Sequence, residues 1–211
     1  METYTANSPE ISVILPTYNR ASLILRAVNS VFKQTFRNWE LIIVDDGSDD
    51  NTFGLLDKIV LSNENVKYIK HKNRKLPLSL NTGILISSGR YLAFIGSDDE
   101  YLPEHLFLRY DYMKKNPDID LIHGGVKIIG DTFVKDFNDV TKKIHLDECV
   151  IGGTFFGKRE VFVQLKGFSN IPYGEDYELT LRAANKFKIM KVNFPTYIYY
   201  RDTEGSICNT I

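Results

Sequence analysis

The sequence predicts an α/β protein, a three-layer α/β/α sandwich built on a mostly parallel central sheet. Short apolar runs typical of buried parallel strands recur through the first half, and segments with helical spacing of apolar residues lie between them. The connections are short, as in chains whose parallel strands are joined by helices that cover both faces of the sheet. Three of these strands also stop at polar turns, which gathers polar groups at one edge of the sheet.

The first half of the chain supplies strands and helices in strict alternation. Apolar runs predict strands over 11–15, 41–44, 66–69 and 91–95. Apolar residues at helical spacing predict the first intervening helix, and the helices are expected over 20–33, 52–61 and 78–87.

The second half is less regular. Helices are predicted over 103–115, 158–165 and 175–187, the first of them ending at the Asn116-Pro117 pair. Strands are predicted over 121–129 and 133–137, around a turn at 130–131, and over 196–200, with a small-residue strand or loop at 152–157. Because no repeat, linker or low-complexity tract interrupts the chain, we expect one domain over 1–211, with two unequal halves that meet near Pro103.

Composition narrows the class of protein. The 211 residues are 43% hydrophobic and 25% charged, with a formal net charge of −1. Nucleic acid is not an expected partner, because the chain has no basic excess for a phosphate backbone. Cys149 and Cys208 form neither a metal-binding spacing nor a disulfide framework, which favours a reducing compartment. The N-terminus lacks a signal-peptide pattern, and no apolar run reaches roughly 18 residues. We therefore expect a cytoplasmic protein, at most peripheral to the inner face of a membrane.

An acidic pair follows the predicted strand over 91–95. Asp98 and Asp99 stand side by side after Ser97, and adjacent carboxylates repel each other unless a cation or a donor-rich partner neutralises them. A divalent ion that also holds phosphate oxygens is a natural neutraliser, since Mg²⁺ commonly bridges carboxylates and substrate phosphates. The alternative is that Ser97 or Asp98 caps the helix that Pro103 helps to open.

Two further strands end in comparable turns. Pro16-Thr17-Tyr18-Asn19-Arg20 follows the first strand, and Asp45-Asp46-Gly47-Ser48 follows the second. In a parallel sheet these ends lie beside the acidic pair, at the edge where open α/β folds bind ligands. Tyr18 could stack on a base, Asp46 could accept a hydrogen bond from a base N–H, and a metal at Asp98 could hold a diphosphate. The alternative is that all three segments are ordinary capped turns.

An ordered set of motifs resembles the family 2 glycosyltransferases of bacterial cell-surface polysaccharide synthesis. The motifs are VILPTYNR at 13–20, SVFKQT at 30–35, ELIIVDDGS at 40–48, NTG at 81–83, GRYLAF at 89–94, SDD at 97–99 with Pro103, and GED at 174–176. They run in the family's order from about residue 11 to about residue 205. The resemblance implies the GT-A fold and transfer of a sugar from a nucleotide diphosphate donor, in the first instance a UDP-sugar, with inversion at the anomeric carbon.

The resemblance also implies roles for individual residues. It makes about 11–103 the nucleotide-sugar-binding half and about 104–205 the half that binds a glycan or glycolipid acceptor. The nucleotide would be bound by Pro16, Thr17, Tyr18, Arg20, Asp46, Ser97 and Asp98, with Asp46 accepting the imino hydrogen of uracil. A divalent ion, Mn²⁺ or Mg²⁺, would be held by Asp98 and its neighbour Asp99. Asp176 would be the catalytic base, and Glu175 and Arg201 would contact the diphosphate or the acceptor.

Two positions depart from the family pattern. Gly96 stands where relatives carry the first acid of the metal motif, and Leu80 stands where many carry an arginine, a charge that Lys72, Arg74 or Lys75 could replace. Gly96 keeps open an alternative function, a catalytically impaired nucleotide-sugar-binding domain. A dinucleotide-dependent dehydrogenase is disfavoured, because no glycine-rich turn follows the first strand.

The remaining candidates also have structural alternatives. Glu175 and Asp176 begin a predicted helix, where acids are favoured by the helix dipole alone. Tyr200-Arg201-Asp202 and Ser206 resemble the family's closing segment, which often folds over the donor diphosphate. Arg201 could therefore stabilise the leaving group, or it could be a surface residue at the end of a strand.

Overall fold

The computed structural model describes residues 8–203. Its strands are β1 (Ile11–Thr17), β2 (Trp39–Asp45), β3 (Val66–Lys70), β4 (Tyr91–Phe94), β5 (Glu100–Tyr101), β6 (Leu121–His123), β7 (Val126–Ile129), β8 (Phe133–Lys135), β9 (Lys143–His145), β10 (Phe156–Lys158), β11 (Ile189–Lys191) and β12 (Tyr197–Tyr200). Its α-helices are α1 (Ile24–Phe32), α2 (Thr52–Ser62), α3 (Leu76–Ile86), α4 (His105–Lys115), α5 (Arg159–Gln164) and α6 (Glu175–Ala184). Two short 3-10 helices lie at Leu146–Glu148 and Gly152–Thr154.

The central sheet has seven strands in the order β11-β6-β10-β4-β1-β2-β3. Strands β1 to β4 run parallel, and Val13 of β1 lies opposite Leu41 on one side and Ala93 on the other. Strand β10 is antiparallel to both of its neighbours, β4 and β6. The predicted mostly parallel sheet is therefore confirmed, and the carboxyl ends of β1, β2 and β4 lie side by side.

Helices cover both faces of this sheet. Successive strand residues point to opposite faces, so neighbouring residues of β1 enter different core layers. Leu15 packs in a layer with buried residues of α1, α2 and α4. Ile14 packs in the other layer with buried residues of α3, α5 and α6. Both side chains are fully buried, which is the three-layer arrangement that the sequence predicts.

The predicted continuous strand over 121–129 is wrong. Gly124 and Gly125 have φ angles of 95° and 72°, a left-handed backbone that interrupts an extended strand. Strand β6 stays in the central sheet, whereas β7 runs parallel to β12 in a second sheet of order β5-β12-β7. Strand β8 pairs with β9 in a separate hairpin. The turn at 130–131 therefore connects two sheets and does not join a pair of neighbouring strands.

The segment between β4 and α4 contradicts the capping alternative for the acidic motif. Strand β5 intervenes, and α4 begins only at His105, with Glu104 before it and no side-chain cap. Tyr101 of β5 is fixed in the core by its hydroxyl, which donates to the carbonyl of Phe94 at 2.6 Å. Ser97 and Asp98 therefore do not cap the following helix and are free to face the edge of the sheet.

Candidate functional site

A cavity of about 800 Å³ opens at the carboxyl ends of β1, β2 and β4. The second half of the chain closes its other side through the β8–β9 hairpin, the segment before β10 and the start of α6. The structure brings nearly all of the predicted site residues to this cavity, namely Pro16, Thr17, Tyr18, Arg20, Asp46, Ser97, Asp98, Asp99, Glu175 and Asp176. Leu80, which replaces the family's arginine, also lines the cavity, as does Lys75, one of the three residues that could supply the missing charge.

The loop after β1 is held by the loop after β2. The backbone N–H of Asn19 donates to Ser48 Oγ at 2.9 Å, and the side-chain oxygen of Asn19 accepts from the N–H of Asp49 at 2.9 Å. Asn19 has a φ of 50°, a left-handed conformation that asparagine tolerates better than most residues. These bonds fix the turn that carries Tyr18, which is 45% exposed and lines the cavity; its stacking on a base stays a prediction.

Asp46 organises the loop between β3 and α3. Its Oδ1 accepts from the N–H of Arg74 at 2.7 Å, and its Oδ2 accepts from the N–H of Lys75 at 2.9 Å. The carboxylate is 5% exposed. A Cβ on Gly47, which has a φ of 88°, would lie 2.9 Å from the backbone nitrogen of Asn73, so only glycine fits this approach. Asp46 thus joins two loops at the cavity, and its contact with a base stays a prediction.

The two adjacent carboxylates have different environments. Asp99 is 3% exposed, and its oxygens accept from the hydroxyl of Tyr197 at 2.5 Å and from the N–H of Tyr200 at 3.0 Å. Burial, and then the charge of Asp98, raise the pKa of Asp99 to about 7. Asp98 is more exposed, and its backbone carbonyl accepts a hydrogen bond from the Arg26 guanidinium. Asp99 therefore anchors β12, and Asp98 is the member of the pair with the more accessible carboxylate.

No side chain fits at position 96 in this arrangement. A Cβ on Gly96 would lie 2.6 Å from Asp99 Oδ2 and 3.1 Å from Asp98 Oδ1. The N–H of Gly96 donates to the hydroxyl of Tyr197 at 3.1 Å. Glycine at position 96, where the family carries an acid, therefore leaves the space that the carboxylates of Asp98 and Asp99 and the Tyr197 hydroxyl occupy.

Asp176 and Glu175 lie in the first turn of α6, which begins after Gly174 in a left-handed conformation with a φ of 73°. Asp176 Oδ2 accepts from the N–H of Gly152 at 2.9 Å, and its Oδ1 accepts from the N–H of Tyr177 at 2.7 Å. Burial raises the pKa of Asp176, and the two N–H donors oppose that rise. Burial, and then the charge of Asp176, raise the pKa of Glu175 to about 7. A carboxylate with a raised pKa at a cavity wall has the properties of a general base.

Arg201 does not occupy the position expected of it. Its side chain is 3% exposed, and its guanidinium donates to the carbonyls of Asp131 at 3.4 Å and Phe133 at 3.3 Å. It does not line the cavity. The structure therefore supports neither the predicted contact with the diphosphate or acceptor nor the surface alternative, because the guanidinium binds the segment between β7 and β8. Ser206 of the same closing segment lies outside the described residues.

Several cavity residues were not predicted, because they belong to no motif. A Cβ on Gly152 would lie 3.1 Å from Asp176 Cβ, and one on Gly153 would lie 2.2 Å from the Tyr197 hydroxyl. The glycine pair therefore allows the side chains of Asp176 and Tyr197 to approach the backbone, and two adjacent glycines were the available signal. The hairpin residue Phe137 also lines the cavity, without any signal in its local sequence.

The family model described as Glycosyl transferase family 2 matches residues 12–173. The chain belongs to this family. The matched region contains the loop after β1, Asp46 and the acidic pair Asp98 and Asp99, and it ends just before Asp176. The family assignment made from the ordered motifs is thus confirmed.

The curated relatives of this chain are longer than the chain itself. Over 126 residues it is 35% identical to the Escherichia coli UDP-Glc:alpha-D-GlcNAc-diphosphoundecaprenol beta-1,3-glucosyltransferase WfgD, covering 59% of this chain and 48% of the relative. Over 191 residues it is 29% identical to an uncharacterized glycosyltransferase of Haemophilus influenzae, covering 82% of this chain and 59% of the relative. The chain thus spans about half of the first relative and about three fifths of the second.

Solved structures of glycosyltransferases share the fold. Residues 1–349 of S. aureus TarS in complex with UDP-GlcNAc superpose with a TM-score of 0.78 at 22% identity, over 96% of this chain and 61% of that chain. The mannosyltransferase PcManGT of Pyrobaculum calidifontis, in complex with GDP-Man and Mn²⁺, gives a TM-score of 0.75 at 19% identity, over 96% and 59%. The family 2 chain therefore has the GT-A fold. None of its helices within residues 8–203 is long and apolar enough to span a bilayer.

Proposed function

We propose that this chain transfers a sugar from a UDP-sugar to a hydroxyl of a glycan or glycolipid acceptor, with inversion, in the synthesis of a cell-surface polysaccharide. One observation carries the proposal: the loop after β1, the acidic pair Asp98 and Asp99, and Asp176 line a single cavity. The UDP donor is supported by the UDP-Glc donor in the name of the E. coli relative and by the UDP-GlcNAc in the TarS complex. A lipid-linked acceptor would bring the protein to the inner face of a membrane, in the cytoplasm.

The residues present fit a divalent ion, Mn²⁺ or Mg²⁺. Asp98 supplies an accessible hard oxygen ligand. Burial, and then the charge of Asp98, raise the pKa of Asp99, and a cation would offset the second of these two causes. Residues 8–203 contain no group of three or more metal-ligating side chains, so donor phosphates and water would complete the coordination. When bound, the ion supplies a Lewis acid for the departing diphosphate.

The protein's own groups account for the rest of the transfer. Tyr18 and Asp46 hold the base, and Asp176 accepts the proton of the acceptor hydroxyl as its oxygen attacks the anomeric carbon. The new carbon–oxygen bond forms on the face opposite the diphosphate, while the bond from carbon to the diphosphate oxygen breaks and its electrons leave with the nucleotide. A single displacement of this kind inverts the anomeric configuration.

The alternative function, a nucleotide-sugar-binding domain without turnover, rests on Gly96. Both functions predict donor binding, but only the enzyme predicts metal-dependent loss of sugar from the donor. Slow hydrolysis of UDP-glucose or UDP-N-acetylglucosamine with Mn²⁺, followed by UDP release, supports the enzyme. Tight UDP binding with no release of UDP from either donor over hours supports the binding domain.

Thermal unfolding tests the donor site directly. UDP at 100 times its Kd with Mn²⁺ should stabilise the fold by about 2.7 kcal/mol, which for a domain of this size raises Tm by about 5–10 °C. Asp98→Asn should abolish the Mn²⁺-dependent part of the shift. Asp111→Asn on α4, which removes a surface carboxylate paired with Lys115, is the matched control and should keep the full shift. An unchanged shift in the Asp98 variant would remove this residue from the metal site.

A further inference from the structure

The β8–β9 hairpin brings residues to the cavity that the donor site does not use. Its turn contributes Asp136, Phe137 and Asn138. Tyr173 and Tyr177, which lie on either side of Glu175 and Asp176 in the sequence, also line the cavity. The three aromatic residues are all partly exposed. We call Phe137, Tyr173 and Tyr177 the aromatic cluster. It lies beside Asp176 and on the second half of the chain, whereas Tyr18 serves the nucleotide from the first half.

Specific contacts hold the hairpin against α6. The rings of Phe137 and Tyr177 meet edge to face, with their centroids 5.2 Å apart and their planes at 62°. A Cβ on Gly174 would lie 2.1 Å from Phe137 Cδ2, so glycine at this position leaves room for the ring. The hydroxyl of Tyr173 donates to the carbonyl of Lys135 at 2.5 Å. These contacts place the aromatic cluster over the turn that carries Asp176.

Polar groups flank the ring of Phe137 in the sequence. Asp136 Oδ1 accepts from the N–H of Asn138 at 2.7 Å, which fixes the turn around Phe137. The cavity wall here combines apolar ring surface with a carboxylate and an amide. That combination suits a ligand with one apolar face and a rim of hydroxyl groups.

We propose that the aromatic cluster binds the pyranose ring of the acceptor and presents one of its hydroxyls to Asp176. A pyranose has a face of C–H groups that gains by leaving water against aromatic rings. Its equatorial hydroxyls pair with the side chains of Asp136 and Asn138. This inference rests on the proposed function, because it gives Asp176 its substrate hydroxyl, and it names a sugar ring as the acceptor group at the reaction site.

Saturation-transfer NMR on the whole chain tests the assignment with defined probes. The probes are methyl β-D-glucopyranoside, methyl β-D-galactopyranoside and methyl N-acetyl-β-D-glucosaminide, each with UDP and Mn²⁺ present. We expect saturation of ring C–H protons of at least one probe in the wild type. Phe137→Ala should weaken that binding about three- to tenfold, the range of an aromatic contact, while UDP affinity stays unchanged.

Two further variants make the test decisive. Phe137→Leu keeps apolar volume against Gly174 but loses the aromatic ring. If the alanine variant fails to fold, the leucine variant still tests whether the ring contributes to pyranoside binding. Phe133→Ala on the same hairpin removes a ring that is 46% exposed and lies outside the cavity, and it should bind the probe like the wild type. Wild-type probe affinity in the Phe137 variants, or no saturation of any probe by the wild type, would overturn the inference.

The same measurements separate this inference from the donor assignment. UDP binding without pyranoside binding leaves the donor site standing and removes the aromatic cluster as an acceptor site. Pyranoside binding that depends on Phe137, in a protein that binds no UDP, keeps the cluster and removes the proposed donor.

Discussion

Replacing Asp176 by asparagine separates general-base catalysis from a structural role at the start of α6. The variant keeps the size of the side chain and can still occupy the first turn of the helix, but it cannot take a proton at neutral pH. General-base catalysis contributes about 10²–10⁴-fold to a rate, which corresponds to about 2.7–5.4 kcal/mol of activation free energy. We expect turnover to fall by at least 100-fold.

The contacts of Asp176 set the expected change in stability. The carboxylate accepts from two N–H groups, of Gly152 and Tyr177, whereas the asparagine oxygen can replace only one oxygen of the pair. Losing a hydrogen bond to a charged group costs about 1.5–3 kcal/mol, and removal of a carboxylate whose pKa is raised by burial offsets part of that loss. Without that offset, the loss would lower Tm by about 3–12 °C in a domain of this size, so we expect the observed fall in Tm to be smaller than about 12 °C.

The assay is turnover of UDP-sugar per folded molecule, with UDP affinity and Tm measured on the same preparation. Glu160→Gln is the matched control, because Glu160 is also an acid in the first turn of a helix, α5, and does not line the cavity. Catalysis by Asp176 predicts a large loss of turnover at constant UDP affinity. Near-normal turnover with a lowered Tm would refute the assignment and leave Asp176 with a structural role only.

The remaining predictions concern the acidic residues around the cavity. Restoring the family's acid with Gly96→Asp should destabilise the fold by about 1–3 kcal/mol, as overpacking commonly does. A Cβ there lies 2.6 Å from Asp99 Oδ2, and the Asp99 carboxylate is held through Oδ2 by the Tyr197 hydroxyl and through Oδ1 by the Tyr200 N–H. An unchanged urea midpoint would contradict this prediction. The pKa of Glu175 is raised from 4.5 to about 7 in the folded protein. The protonated Glu175 therefore adds to the free energy of unfolding; this contribution is fully present below pH 4.5 and is lost as pH rises through about 7. Glu175→Gln should therefore reduce the fall in Tm between pH 5 and 8, and an unaltered slope would show that other groups cause it. Asp46→Asn should lower UDP affinity at least tenfold and remove the preference for UDP over CDP in a competition assay, whereas equal competition by CDP in the wild type would refute the contact with uracil.

Much of the first half could be predicted from sequence because its signals are local. A buried parallel strand is a continuous apolar run, as in residues 41–44, and a strand that ends in carboxylates carries its own marker. The positions of β1, β2, β3 and β4 follow from such runs. The convergence of Tyr18, Asp46 and Asp98 then follows from topology alone, because parallel strands end at one edge.

The second half was harder, because its contacts join residues distant in sequence. The run over 121–129 reads as one strand, yet its two pieces pair with partners from 189–191 and 197–200 in different sheets. The family resemblance implied that Arg201 contacts the diphosphate or the acceptor, but its guanidinium donates to the carbonyls of residues 131 and 133. Local secondary-structure propensity cannot predict the strand partners of 121–129 or the burial of Arg201, since contacts between distant segments decide both.

The sequence by itself determined the fold class, the family and the edge of the sheet where the site lies, because strand periodicity and motif order are properties of short segments. Only the tertiary structure decided which of the two adjacent carboxylates is buried and which is accessible. Asp99 is buried against Tyr197 and Asp98 is left more accessible, although the two are neighbours in sequence and chemically identical. Likewise, the β8–β9 hairpin reaches Asp176 only after the chain has folded, because packing between distant segments forms that wall of the cavity.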